Sequence, residues 1–475
     1  MFFIAVLYYL KIAKEVFMPD HRDLKKQKAQ VKSLAAICKR TDVIQPHLFV
    51  DYKVYRGLRD DKGRGVLTGL TEISDVKGSI VKGDKFTPCE GELYYRGYNV
   101  KDIVADIFST NRFGFEEIAY LLLFGRFPNA QALADFNELL GKLRSLPNSF
   151  VRDVIMKQPS ADIMNAMARS VLMLYSYDEK ADVMTTENVL WQCLQLIAEF
   201  PQIAVYSYQT YAYYKSDKNS FFIHDPVPTM STAENLLHML RLDCNYTELE
   251  AHALDLALIV HAEHGGGNNS TFTTRLVSST GTDTYSAVAA ALGSLKGPKH
   301  GGANVKVCRM FDDIKENVKD WNNDDEIREY LIKILDKKAF DQSGLIYGLG
   351  HAVYQISDPR AEIFKETVEK LSIEKNRWDE FNLHKKVEEI GKALLAERRK
   401  SDKGICANVD FYSGFCYEML NLPVELYTPI FAVARIVGWS AHRIEELIST
   451  GGKIMRPAYK YVGRHYKYVP FDKRR

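Results

Sequence analysis

Apolar residues recur at helical spacing through most of the chain beyond residue 100, interrupted by Gly, Pro and short polar runs. "GFEEIAYLLLFGRFPN" opens with acidic residues, keeps an apolar face and stops at Gly125 and Pro128, which predicts one complete helix. Ser231 with Glu234, and Thr247 with Glu250, have capping-box spacing ahead of apolar-periodic runs. Thr428 before Pro429 predicts another helix start, with a capping side chain followed by proline at the first helical position. Strand material is confined to residues 50–98, where "YKVYRGLRDDKGRGVLTGL" and "SIVKGDKFTPCEGELYYRG" read as hairpins broken by Gly and Asp turns. Strands do not alternate with helices, so an all-α architecture with minor N-terminal β-hairpins is expected. Residues 216–230 read as a linker, and a helix must end near Asn421 and Pro423.

A length of 475 residues exceeds what one compact core holds and suggests two or three units. The apolar fraction of 46% and charged fraction of 26% are those of an ordinary globular protein. With 63 Lys+Arg against 61 Asp+Glu, the chain carries no whole-molecule footprint for nucleic acid, and its short basic runs read as solvated surface. The seven cysteines are scattered, without a C-x-x-C pair, which favours free thiols in a reducing compartment over a zinc ribbon or a disulfide framework. "MFFIAVLYYLKIAKEVF" lacks the n-region and cleavage site of a secretory signal and is too short to span a bilayer. It reads as an amphipathic helix or as a mis-assigned start upstream of Met18, and a cytoplasmic location is expected.

Five stretches carry candidate chemistry. In "VHAEHGGGNNSTFTTR", His261 and His264 are expected to share a helix face where Gly265 to Gly267 end the helix, as dipole-stabilised histidines or, less favoured, as metal ligands. His300, in "GPKHGGANVKVCRMF", sits between Gly297, Pro298 and Gly301, Gly302 at a helix start, where the dipole disfavours a charged imidazole. A neutral ring there can donate one hydrogen bond to a developing enolate oxygen. "GLGHAVYQISDPR" leads through Gly344, Gly348 and Gly350 to His351, and Asp358–Pro359 predicts a helix start with Arg360 in its first turn. A cation at that end is unfavourable unless an anion binds with it; the alternative is an arginine pointing to solvent. Asp410, in "NVDFYSGF", is either a helix cap or a partly desolvated general base. Arg435 lies on an apolar helix face with Trp439 and His442, either snorkelling or paired with an anion, and Arg456 precedes a proline in extended backbone. No H-E-x-x-H spacing or third ligand points to a metal.

These residues, in this order and spacing, resemble the citrate synthase family. The resemblance rests on "HAEHGGGNNSTFTTR", "GPKHGGAN", "GLGHAVYQISDPR", "NVDFYSG", "AVARIVGW" and "RPAYKYVG", supported upstream by "RGLRDDKGRGVLTGLT", "GELYYRGY" and "FEEIAYLLLFGRFP", from about residue 45 to about residue 465. It implies a large helical domain (45–301 and 422–475), a small one (302–421), an active site in the cleft between them, and an arm of uncertain role over 1–44. It further implies an obligate homodimer acting on acetyl-CoA and oxaloacetate, with no metal and no permanently bound cofactor; the charge balance and the short apolar run add the expectation of no nucleic-acid and no membrane partner. By resemblance, Asp410 takes a methyl proton from acetyl-CoA, His300 holds the thioester oxygen and His351 polarises the oxaloacetate carbonyl. His264, Arg360 and Arg435 hold oxaloacetate with His351, Arg456 arrives from the partner subunit, and Gly348, Leu349, Gly350 and Asn408 contact coenzyme A. Gln355 stands where relatives often carry Lys or Arg, so a weaker or differently arranged coenzyme A contact is expected there. Rival readings are a 2-methylcitrate synthase using propionyl-CoA, a metal-dependent phosphohydrolase built on His224 and Asp225, and a non-catalytic helical binding protein.

Overall fold

The computed structural model describes residues 21–60, 65–82, 85–215, 221–399, 404–449, 451 and 453–474. The apolar N-terminal run, Met1 to Phe17, lies outside the described residues, as do residues 216–220 of the expected linker. The chain divides into two compact units, Met1–Thr68 and Gly69–Arg475.

The first unit contains α1 (His21–Thr41), the short α2 (Pro46–Asp51), which starts on a proline, and a 3₁₀ turn at Arg56–Leu58. Of the hairpin expected over residues 52–70, the described residues form that turn and an antiparallel bridge between Arg59 and Gly65 but no longer strand, and residues 61–64 lie outside the described residues. Leu67 and Leu70 are 84% exposed, so no apolar face is there to hold strands in register.

In the second unit the other hairpin forms as expected. Strands β1 (Ser74–Lys82), β2 (Lys85–Tyr95) and the short β3 (Tyr98–Asn99) make an antiparallel sheet in the order β1-β2-β3. Its register slips between Lys77 and Ser79, at Gly78. Glycine is required there by proximity, because a Cβ on Gly78 would come within 2.6 Å of the Val353 carbonyl oxygen. On β2, a Cβ on Gly91 would come within 2.1 Å of the Ser357 carbonyl oxygen. The hairpin therefore lies with backbone against backbone on the segment that follows His351, and Gly91 N–H donates to Ser357 Oγ (3.1 Å).

Helices follow in sequence. α3 (Val100–Ser109) is capped by Asn99, α4 (Phe115–Phe124) ends on Gly125 in the left-handed region (φ 75°), and α5 (Ala130–Leu143) is capped by Asn129. Gly114 offers α4 no side-chain cap; Asp255, from far along the chain, accepts from the Gly114 and Phe115 amides (2.7 and 3.2 Å). α6 (Ile163–Leu174) leads to the long α7 (Thr186–Lys215). α8 (Thr232–Leu240) and α9 (Glu248–His261) begin with the reciprocal capping boxes that Ser231/Glu234 and Thr247/Glu250 predict. α10 (Asn269–Ser278) and α6 both pack on α11 (Thr284–Leu295). α12 (Ala303–Asn317), α13 (Asp324–Leu335), α14 (Pro359–Glu374), α15 (Trp378–Arg399) and α16 (Asp410–Met419) pack on one another, and α14 also meets α9.

The last long helix, α17 (Tyr427–Ser449), departs from expectation at its start. It begins before Thr428, preceded by a 3₁₀ turn at Val424–Leu426, and the Thr428 hydroxyl donates to the Gly301 carbonyl (3.1 Å) instead of capping. α9 is buried on every side from Glu250 to His261, and α17 and α14 pack on it. These contacts bring the His264 turn, the Arg435 face and the Arg360 helix start to one place.

The hairpin contact predicts a result. Gly91→Ala forces the Ser357 segment to move and is expected to lower unfolding stability by about 1–3 kcal/mol. Denaturant midpoints check it, and an unchanged midpoint would show that the hairpin does not grip this segment.

Candidate active site

The His264 turn is set by a serine on the hairpin. Ser74 Oγ donates to Glu263 Oε1 (3.0 Å) and accepts from Gly265 N–H (3.1 Å), while the Tyr95 hydroxyl donates to the Ile259 and Glu263 carbonyls (3.0 and 3.1 Å). α9 ends at His261, so His264 lies beyond the helix rather than on its face; three glycines follow, and Gly265 is left-handed (φ 87°). His264 Nε2 is buried without a hydrogen-bond partner. Burial, then the charge of Arg360, holds its imidazole well below the usual range.

His300 sits in the turn before α12, with its amide donating to Gly297 O (2.8 Å) and the next amide to Leu295 O (2.9 Å). Burial, then Arg435, pushes its pKa down to about 4, so the ring is neutral at working pH. Its Nε2 lies 3.1 Å from Ser270 Oγ. That hydroxyl also accepts from Trp439 Nε1–H (3.1 Å) and donates to Asn268 Oδ1 (3.0 Å). The neutral ring carries one hydrogen, so His300 is a single donor, and the tautomer sets which nitrogen holds it.

The second histidine is fixed by backbone. Val353 and Tyr354 N–H both donate to His351 Nδ1 (3.0 Å each). A ring nitrogen that accepts twice holds no proton, so neutral His351 carries its hydrogen on Nε2. Arg360 Nη2 lies 3.5 Å from that nitrogen, and two donors so placed address a common oxygen rather than each other. His264 and His351 meet edge to face with ring centroids 5.4 Å apart.

Of the candidate arginines, Arg360 differs from expectation. Asp358 caps α14, as Asp-Pro predicts, and also grips the guanidinium through Nε (3.0 Å) and Nη2 (2.7 Å). The charge at the helix start is therefore compensated within the protein. Burial opposes the charged form, and Asp358 more than offsets it, raising the pKa. Arg435 is the opposite case. It is 0% exposed, which excludes snorkelling; its Nε donates to the His261 carbonyl (2.7 Å), and among the described residues neither Nη1 nor Nη2 has a hydrogen-bond partner. Burial lowers its pKa to about 10, and the nearby Glu263 carboxylate opposes this. Burial also raises Glu263, but His442 Nε2 (3.1 Å) overrides it and brings its pKa to about 2.

Asp410 is the first residue of α16 rather than its cap; its amide donates to Asn408 Oδ1 (3.1 Å). Burial pushes its carboxyl up to about 6, Arg360 lowers it and Asp358 raises it, and among the described residues no hydrogen bond contributes to the shift. The glycine segment before His351 pairs with the strand leading to Asp410. Gly350 N–H donates to Cys406 O (2.7 Å), Asn408 N–H to Gly348 O (2.9 Å) and Asn408 Nδ2 to Gly350 O (3.0 Å), and Leu349 bridges Ala407. Gly348 is left-handed (φ 86°), and a Cβ on it would come within 2.7 Å of the Phe411 ring. Arg456 lies apart from the cluster, exposed on an extended C-terminal segment. His224 and Asp225 are elsewhere too, with His224 Nε2 at the Leu242 carbonyl (3.2 Å). Sequence reasoning missed Ser74, Glu263, Ser270 and the pairing role of Asp358. Asp358 is the one with a local signal, an acid two residues before the arginine it grips.

Residues 58–458 match the citrate synthase C-terminal domain family. The chain belongs to the citrate synthase family. It is 33% identical over 410 residues to the citrate synthase of Haloferax volcanii, covering 85% of this chain and 97% of that protein. The 2-methylcitrate synthase of Shewanella oneidensis is 32% identical over 413 residues, covering 84% and 94%. Among solved structures, the citrate synthase of Pyrobaculum aerophilum superposes with a TM-score of 0.71 at 30% identity, covering 89% of this chain and 95% of that one. The Thermoplasma acidophilum citrate synthase, in a ternary complex with carboxymethyl coenzyme A and oxaloacetate, gives 0.71 at 28% identity, covering 88% and 99%. Among the described residues no group of three or more His, Cys, Asp or Glu could hold a metal ion, and no helix is long and apolar enough to cross a membrane.

A buried guanidinium with two unpartnered nitrogens destabilises the empty protein and attracts an anion. Arg435→Met is therefore expected to unfold at or above the parent's midpoint without ligand and to lose the upward thermal shift that small dicarboxylates give the parent. A mutant that keeps that shift would remove Arg435 from the anion site.

Proposed function

We propose that this citrate synthase family member condenses acetyl-CoA with oxaloacetate and water to citrate and coenzyme A, the entry step of the tricarboxylic acid cycle. The observation that carries the reading is the juxtaposition of Arg435, whose Nη atoms have no hydrogen-bond partner among the described residues, with the neutral His300 and a carboxyl poised near 6. Oxaloacetate is a dianion with a ketone between its carboxylates. Arg435, Arg360 and His264 receive the carboxylates, and His351 Nε2–H polarises the ketone oxygen.

Asp410 removes a methyl proton from the thioester while His300 donates a hydrogen bond to the thioester oxygen, so negative charge develops on a held atom. The enol carbon forms a bond to the polarised carbonyl carbon, whose oxygen takes up a proton, to give citryl-CoA. Water then cleaves the thioester, releasing citrate and the thiol. A neutral His300 suits this role, because it supplies a donor without first losing a proton.

The segment 302–421 is assigned to a small domain that closes over the bound ketoacid and excludes water until the carbon–carbon bond has formed. Coenzyme A is placed against Gly348, Leu349, Gly350 and Asn408. Since the Gly350 amide and Gly348 carbonyl are used in the internal pairing, the contact falls to the other groups of these strands. Gln355 Oε1 is buried without a partner, which supports a missing charge contact to coenzyme A at this point. The active unit is a homodimer in which Arg456 reaches the partner's oxaloacetate. In support of a covering second copy, Tyr459, Tyr466, Tyr468 and Phe471 are each at least 80% exposed along the same terminal segment.

Two measurements test the reading. Thiol release with oxaloacetate should be faster with acetyl-CoA than with propionyl-CoA; the reverse order would make the chain a 2-methylcitrate synthase, since one methylene changes the balance by about 1–3 kcal/mol. The catalytic form of Asp410 is the ionised one, so kcat/KM should fall as pH drops through about 6, losing tenfold per unit below it. In Asp410→Ala that limb should vanish together with nearly all turnover, while oxaloacetate binding persists. Substantial activity in the mutant would overturn the assignment.

A further inference from the structure

Away from this cluster, a cavity of about 350 Å³ opens beside the first half of α7. Trp191, Gln195 and Glu199, one helical turn apart in succession, line one wall, with Tyr177 and Tyr285 opposite. Glu199 is 2% exposed, and its carboxyl has neither ion pair nor hydrogen bond among the described residues. Three other buried carboxyls are matched. Asp255 caps α4, Glu116 accepts from the Thr232 amide and hydroxyl (2.7 and 2.8 Å), and Glu250 pairs with Arg241 (2.7 Å). An unmatched buried carboxyl costs stability, and its place in a cavity wall invites a partner from outside.

The rest of the cavity states what that partner is. Asp178 fixes the far wall by accepting from Gln192 Nε2 (2.7 Å) and the Tyr285 hydroxyl (3.0 Å), which ties down the polar end of the Tyr285 ring. Three aromatic rings and one buried carboxyl lining a single cavity are the chemistry that recognises an ammonium head, by ion pairing and by attraction to ring faces. An anion would meet Glu199, Asp178 and Glu179 instead. Lys180 at the exposed rim disfavours a second positive charge on the ligand's outer end.

We propose that this cavity is a binding site for a small organic monocation, a protonated amine or a quaternary ammonium, whose head pairs with Glu199 between the Trp191, Tyr177 and Tyr285 rings. The site is independent of the condensation chemistry. Burial alone raises Glu199 to about 8, so at pH 7 the empty site holds a proton that the cation must expel. Affinity should therefore rise with pH and level off above about 8.

The test titrates the full-length protein with n-butylammonium and choline, and with the uncharged choline isostere 3,3-dimethyl-1-butanol, by calorimetry at pH 7, 8 and 9. Saturable binding at about millimolar Kd is expected for at least one cation, as befits so few atoms. Binding should strengthen about fivefold from pH 7 to 8, and the isostere should bind at least tenfold more weakly. Glu199→Gln should lose the cation preference and its pH dependence while thiol release with acetyl-CoA stays at the parent rate. Should that variant fail to fold, Trp191→Ala, at a half-exposed wall position, is expected to weaken cation binding in the same assay. No saturation by either cation up to about 50 mM, equal binding of the isostere, or full affinity in Trp191→Ala would each overturn the proposal.

Discussion

The burial of Arg435 is the constraint on which the rest of the site depends. A guanidinium removed from water with only its Nε satisfied costs several kcal/mol unless charge is returned to it. The fold returns part of that charge through Glu263, which is itself kept ionised by His442 and oriented by Ser74. The remainder is left for a ligand. Burial, reinforced by the field of this arginine and, for His261 and His264, by that of Arg360, also holds His261, His264 and His300 neutral, so these rings need no proton from solvent.

Two buried arginines thus have separate parts. Arg360, locked to Asp358, is a rigid donor whose position does not depend on the substrate. Arg435 is the uncompensated one, and its pKa is depressed where that of Arg360 is raised. Asp410 lies within the influence of Asp358 and Arg360 yet is dominated by burial, so its carboxyl is more basic than an ordinary one, as the proposed role of general base requires. The hairpin serves both halves of the arrangement: Ser74 holds the Glu263–Gly265 turn, and Gly78 and Gly91 hold the segment after His351.

Features that depend on a few neighbouring residues were legible in the sequence. The capping boxes at Ser231 and Thr247, the Asp358–Pro359 helix start, the Gly125 stop and the hairpin over 79–97 all form where their patterns lie. Features decided by distant packing were misread. Thr428 is drawn to the Gly301 carbonyl instead of capping, the first hairpin lacks a buried face, and His264 falls beyond its helix. The chemistry-bearing residues stood out because His, Arg and Asp beside Gly and Pro are conspicuous. Ser74, Glu263 and Ser270, which orient them, look like any surface residue in a list of letters. Arg456 is exposed on an extended segment, and its proposed role needs a second chain, which no pattern in one chain locates.

The central claim is that fixed arginine charge, and not histidine protonation, receives the dianion. Calorimetry of oxaloacetate binding at pH 8.5, in buffers of different ionisation enthalpy, measures it directly, because Asp410 is then already ionised. The account predicts proton uptake close to zero per site. Uptake of about one proton per site or more would mean that an imidazole charges on binding, and would contradict it.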